Sequence, residues 1–69
     1  MPFANYKLPE GFVSDEQKQE IIQKTTEMFV GFWGEQCRAS TIVLVDEVKD
    51  GGWGVAGEVF NKASAGIED

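Results

Sequence analysis

Histidine is absent from this 69-residue sequence, and cysteine and arginine occur once each, as Cys37 and Arg38. Without histidine there is no histidine-based triad and no imidazole metal ligand. A single cysteine provides neither an internal disulfide nor a thiolate zinc site. No metal and no cofactor are therefore expected. A lone thiol without a secretory leader fits a reducing, cytoplasmic setting, and no apolar run approaches the roughly 20 residues a membrane span needs. Positive charge is scarce as well. Six Lys and Arg against twelve Asp and Glu give a formal charge of -6 with no basic stripe, which argues against a nucleic-acid partner. Residues 1–69 read as one domain, and a chain this short buries only about 60% of its unfolded surface when it folds alone. With disulfide, metal and cofactor set aside, self-association is the remaining source of stability.

What is present falls into a short series of elements. Phe3 to Leu8 alternates as a strand, with Ala4, Tyr6 and Leu8 on one face and Phe3, Asn5 and Lys7 on the other. Pro9, Glu10 and Gly11 are expected to break it. Ser14 with Gln17 three residues on is a capping box, and Asp15 and Glu16 suit the positive end of a helix. Ile21, Ile22, Thr25, Met28, Phe29, Phe32 and Trp33 then recur at helical spacing, which predicts an amphipathic helix of about five turns ending near Gly31 or Gly34. Its aromatic stripe is expected to be core. Glu35 to Ser40 reads as a polar connection. Thr41 to Val45 is a continuous apolar, mostly β-branched run, the pattern of a strand covered on both faces.

Strand, helix and strand in this order imply a parallel pair joined by a right-handed crossover. One helix covers one face of so small a sheet, and a second copy of the chain is the economical cover for the other. Lys49 to Gly52 is a turn, and the glycine-interrupted Trp53–Gly57 stretch predicts a short arm or hairpin. From Asn61 onward little anchors the tail. The fold class is thus α+β: a β-α-β unit with one amphipathic helix and a C-terminal arm, assembled as an oligomer.

Met1-Pro2 opens the chain. Aminopeptidases that trim initiator methionine act when the next side chain is small, and proline qualifies. Removal would leave Pro2 with a free secondary amine, a base and nucleophile no internal residue supplies. Its ring fixes φ, and apolar surroundings favour its neutral form.

Taken together, these pieces resemble the tautomerase superfamily, in particular its short 4-oxalocrotonate tautomerase-like chains. The resemblance rests on Met1-Pro2 opening a strand, Glu10-Gly11 closing it, and Ser14-Asp15-Glu16-Gln17-Lys18 starting the helix. It continues through Asp46-Glu47-Val48 to Gly51-Gly52-Trp53-Gly54-Val55-Ala56-Gly57-Glu58, and spans about residues 2–58. It implies a homohexamer built as a trimer of dimers. It also implies active sites at subunit contacts, where the terminal proline moves a proton next to a carbonyl of a small-molecule substrate. On that resemblance Pro2 is the catalytic base and Trp53 an active-site aromatic, with Leu8 and Phe12 adding to a dry lining.

The sequence also departs from the family pattern. Members acting on dicarboxylate enols use two arginines, and at the matching positions this chain carries Phe12 (or Val13) and Ile42. A typical dicarboxylate is therefore not the expected substrate, and an apolar or aromatic enol or α-keto compound suits the lining better. Arg38, four residues before Ile42, is the candidate substitute anion clamp. Two rivals remain open: a dehalogenase, hydratase or decarboxylase with protonated Pro2, and a non-catalytic oligomeric binding protein.

Overall fold

The computed structural model describes residues 1–64 and residue 66. Strand β1 (Phe3–Pro9) leads through a turn into helix α1 (Asp15–Trp33), a 3-10 helix (Glu35–Ser40), and strand β2 (Ile42–Val48). A small hairpin of β3 (Gly54–Val55) and β4 (Glu58–Val59) follows. Strands β1 and β2 are parallel, in a register running from Phe3 opposite Ile42 to Pro9 opposite Val48. The β-α-β order, the single long helix and the terminal hairpin agree with the sequence reading.

Several details sharpen that reading. β1 runs through Pro9, where it was expected to stop at Leu8. Proline needs no donor at the last position of a strand, and the Glu10 N–H closes the ladder on the Val48 carbonyl at 2.8 Å. Ser14 and Gln17 form the expected capping box: the Gln17 N–H donates to Ser14 Oγ at 3.1 Å, and the Ser14 N–H to Gln17 Oε1 at 2.8 Å. Of the two candidate stops, Gly34 ends α1; at φ 97° it takes a conformation that L side chains rarely adopt, and its N–H closes on the Val30 carbonyl at 2.7 Å. The connection from Glu35 to Ser40 is itself helical, held at its end by the Thr41 hydroxyl donating to the Cys37 carbonyl at 2.8 Å. That hydroxyl precedes β2, which begins at Ile42 and not at Thr41.

Faces follow the alternation. Ala4, Tyr6 and Leu8 turn toward α1, and the Tyr6 and Thr25 hydroxyls share a hydrogen bond of 2.9 Å. Thr25, 6% exposed, is the one buried residue among the described residues; no hydrophobic one reaches that state. The aromatic stripe expected to be core is therefore only partly so. Ile21 and Phe29 are half-buried, whereas Met28, Phe32 and Trp33 stay 47%, 67% and 57% exposed. Two strands spaced about 4.8 Å apart cannot cover the flank of a helix 10–12 Å across. The opposite sheet face is likewise open: Phe3, Ile42 and Leu44 are 58%, 41% and 44% exposed. β2, expected to be covered on both faces, is covered on one within the single chain.

Beyond β2, Lys49–Gly52 is a turn closed by the Gly52 N–H on the Lys49 carbonyl at 2.9 Å. The hairpin loop, Ala56-Gly57, has φ 55° and 84° at its two residues, the double positive φ of a type I′ turn. Phe60 returns the arm to the body, its ring 5.7 Å from that of Phe12. The chain is extended as a result, with a radius of gyration of 15.0 Å against about 11 Å for a compact domain of this length. Asn61 and Ser64 form a reciprocal side-chain turn at the start of the tail; residues 65 and 67–69 of that tail lie outside the described residues. Among the described residues no helix is long and apolar enough to cross a membrane.

Lys18 ties the start of α1 to the end of β2 through Glu47 Oε1 at 2.5 Å, and Glu47 also accepts the Gly11 N–H at 3.4 Å. The Lys18 hydrogen bond, helped by Gly11, holds the Glu47 carboxyl below its ordinary value, and Glu47 in turn raises Lys18. A depressed carboxyl contributes stability that is present above its unfolded pKa of about 4.3 and lost as pH falls through the folded value. Glu47→Gln should therefore be less stable than the parent at pH 6, with the gap closing below about pH 4. Urea midpoints at both pH values test this, and an equal gap at each would contradict it.

Ala56 is the one non-glycine residue at positive φ among the described residues, a region costing an L residue roughly 1–2 kcal/mol. Asparagine tolerates it better, so Ala56→Asn should raise the thermal midpoint, by about 1 kcal/mol of added stability. An unchanged or lowered midpoint would mean the strain is not there to relieve.

Candidate active site

The parallel register determines what surrounds Pro2. Ile42 starts β2 beside the start of β1, and its N–H donates to the Pro2 carbonyl at 3.0 Å. Pro2 is thereby fixed at the head of the sheet, half-buried. The 3-10 helix that delivers the chain into β2 passes the same end. Together these segments enclose a cleft of about 320 Å³ lined by Met1, Pro2, Trp33 and Cys37. That volume is at the low end of small-molecule pockets, about 300–1,000 Å³, and none of its lining side chains carries a charge.

The other expected site residues sit elsewhere in the single chain. Leu8 lies near the far end of β1, Phe12 in the turn beyond it, and Trp53 past the end of β2. Leu8 stands six extended residues from Pro2, about 20 Å, and Phe12 and Trp53 follow the far ends of the two strands. One chain therefore brings Pro2 together with Ile42, Trp33 and Cys37, and does not bring it together with Leu8, Phe12 or Trp53.

Arg38 projects from the 3-10 helix next to Cys37. Its guanidinium is shared between Glu27 on α1 and Glu35, both of which it engages through two nitrogens. These hydrogen bonds hold both glutamates below the ordinary carboxyl range and raise Arg38 further, Glu27 contributing most. Arg38 is thus balanced by carboxylates of its own chain. Lys7 pairs with Asp46 across the open sheet face at 2.6 Å. Tyr6, a possible donor to a substrate carbonyl, is bonded instead to Thr25. Asp46 and Glu47 lie at the end of the sheet away from Pro2 and are both ion-paired.

Trp33 and Cys37 were not among the expected site residues. Trp33 reads as the last member of a core stripe and Cys37 as a structural thiol. The signal for both is topological. In a parallel β-α-β unit, the residues just before the second strand come down beside the start of the first. Positions 33–41 were therefore bound to lie near Pro2.

Comparison with known proteins extends this picture. A family model described as "Tautomerase enzyme" matches residues 2–63. A protein of Dickeya dadantii named "Probable tautomerase K2" is 38% identical over 58 residues, covering 84% of this chain and 85% of its own. A "Probable tautomerase" of Helicobacter pylori is 40% identical over 60 residues, covering 84% and 87%. Among solved structures, one from work on the 4-oxalocrotonate tautomerase isozymes of Methylibium petroleiphilum superposes with a TM-score of 0.72 at 31% identity, covering 84% of this chain and 90% of that one.

Proposed function

The chain belongs to the tautomerase family, and on that premise we propose that it shifts a proton within an enol or α-keto substrate, with the Pro2 nitrogen as general base. The observation that carries this reading is the position of Pro2: half-buried, its carbonyl held by the Ile42 N–H at 3.0 Å, and facing an uncharged cleft. While Met1 is attached, that nitrogen is an amide and has no basicity. Once Met1 is removed, it is a secondary amine in surroundings that favour its neutral form. In ketonisation of an enol, the nitrogen lone pair takes the hydroxyl proton as the oxygen electrons form the carbonyl. The protonated proline then returns a proton to the neighbouring carbon, so the amine is regenerated and one proton has moved from oxygen to carbon.

The active form on this reading is a homo-oligomer, a hexamer made of three dimers. The uncovered sheet face of Phe3, Ile42 and Leu44 supports association, as does the absence of any fully buried hydrophobic side chain among the described residues. The separation of Pro2 from the Leu8, Phe12 and Trp53 group, about 20 Å to Leu8 alone, points the same way. These three residues reach a proline only if it belongs to another copy. Each site would then combine Pro2 and Ile42 from one chain with Trp53, Phe12 and Leu8 from neighbours, while Arg38 follows the cleft residue Cys37 in the chain.

Two experiments test the proposal. Intact mass of untagged protein should show Met1 absent, and Pro2→Ala should lower kcat/KM for ketonisation of phenylenolpyruvate by at least about tenfold, within the usual range for a general base. Nitrogen NMR of Pro2 should give a pKa below about 7; a value well above would favour the rival chemistry of a protonated proline. Full activity with Met1 retained, or in Pro2→Ala, would overturn the assignment. Separately, Leu44→Glu places a charge on the open sheet face and should convert the hexamer to smaller species in native mass spectrometry. An unchanged hexamer would mean that this face is not an interface.

A further inference from the structure

We infer that Trp33 is a specificity-determining wall of the Pro2 cleft and selects planar aromatic enols, an inference that rests on the reading of Pro2 as the base. Trp33 ends α1, and its backbone is pinned there. The Gln36 side-chain amide donates to the Trp33 carbonyl at 2.7 Å, and Gly34 closes the last turn on Val30 at 2.7 Å.

The indole is held as firmly as the backbone. It stacks on Phe29 with ring centroids 5.6 Å apart and planes 9° from parallel. The Phe32 ring lies 5.8 Å from it, with planes at 70°. A ring already packed by two neighbours loses little further freedom when a ligand meets its remaining surface. More than half of its surface is still open, and part of that surface lines the cleft.

The direction of approach is also set. Met1 is bonded to the Pro2 nitrogen and lines the same cleft. A substrate that takes the place of Met1 at that nitrogen therefore lies in a space bounded by the indole. Within the chain the other lining groups are a proline ring and a thiol, and its one guanidinium is held by Glu27 and Glu35. The cleft consequently discriminates by shape and π surface and not by charge. An aryl group gains offset stacking on an indole that an alkyl chain does not.

The test compares an aryl and a non-aryl enol, phenylenolpyruvate and enolpyruvate, in protein lacking Met1. Trp33→Leu keeps apolar bulk and removes the aromatic face. It should lower kcat/KM for the aryl substrate by about five- to tenfold, the range expected for one aromatic contact, and for enolpyruvate by less than about twofold on the same grounds. Trp33→Phe should recover most of the aryl preference. Pro2→Ala should depress both substrates together. An unchanged aryl preference in Trp33→Leu, with Pro2→Ala impaired, overturns the role of Trp33 and leaves the base intact. Normal activity in Pro2→Ala overturns the base, and binding then decides on Trp33. Titration of the parent protein with cinnamate should shift the Trp33 indole resonances, while butanoate should not. This arm also applies should Trp33→Leu fail to assemble, and the absence of a cinnamate shift at Trp33 overturns the inference.

Discussion

Two parallel strands and one helix form a unit with more apolar surface than it can enclose. The helix needs a sheet wider than two strands to cover its stripe, and the sheet needs a second layer behind it. Within the chain neither requirement is met, so Phe3, Ile42 and Leu44 on one side and Met28, Phe32 and Trp33 on the other remain open. Much of what distinguishes the molecule follows from that shortage. It explains why only a threonine is buried among the described residues. It also gives the hairpin arm a purpose: an extension on a chain without a closed core has more to gain from a neighbour's surface than from its own.

The same geometry governs where chemistry can reside. Parallel pairing brings the first residues of both strands to one end of the sheet, and the Ile42–Pro2 hydrogen bond fixes the terminus there. Because the crossover must return to that end, the tail of α1 and the 3-10 helix become its walls. The uncharged set of side chains around Pro2 is thus a by-product of topology. It requires no dedicated pocket-forming loop, which a chain of this length has no room to provide.

Local signals were the legible part of the sequence. Ser14 with Gln17 placed the helix start, Gly31 or Gly34 its end, and the alternation in Phe3–Leu8 the face that meets Thr25, because each depends on chemistry within a turn or a strand. What could not be read depends on how much surface the partner element offers. Helical spacing put Trp33 with Thr25, yet Thr25 lies over the sheet and Trp33 projects past its end. Periodicity reports direction around a helix axis and not whether anything stands opposite. The 3-10 helix was hidden for another reason: its stabilising contacts run from Thr41 and Ser40 back to the Cys37 carbonyl, a pattern without hydrophobic period. Around the cleft, Pro2 stood out by its position in the chain, and Ile42 as the residue standing where the family pattern has an arginine. Trp33 and Cys37 became visible only through the crossover.

Charge around the cleft constrains what a neutral proline there could accomplish. Arg38 is the cation nearest to it in sequence order along the 3-10 helix, and two glutamates already share its guanidinium. A fixed donor aimed at a developing oxyanion typically contributes several kcal/mol to a reaction that creates one. Abstracting a proton from the carbon of a stable ketone creates such an oxyanion in full. Ketonisation of a preformed enol passes through the same enolate, formed when the base takes the hydroxyl proton, so it calls on the same donor. A cleft without such a donor therefore leaves the charge on that oxygen to the substrate's own conjugation in either direction. The balance of Arg38 by Glu27 and Glu35 argues in the same direction as the missing arginines at Phe12 and Ile42.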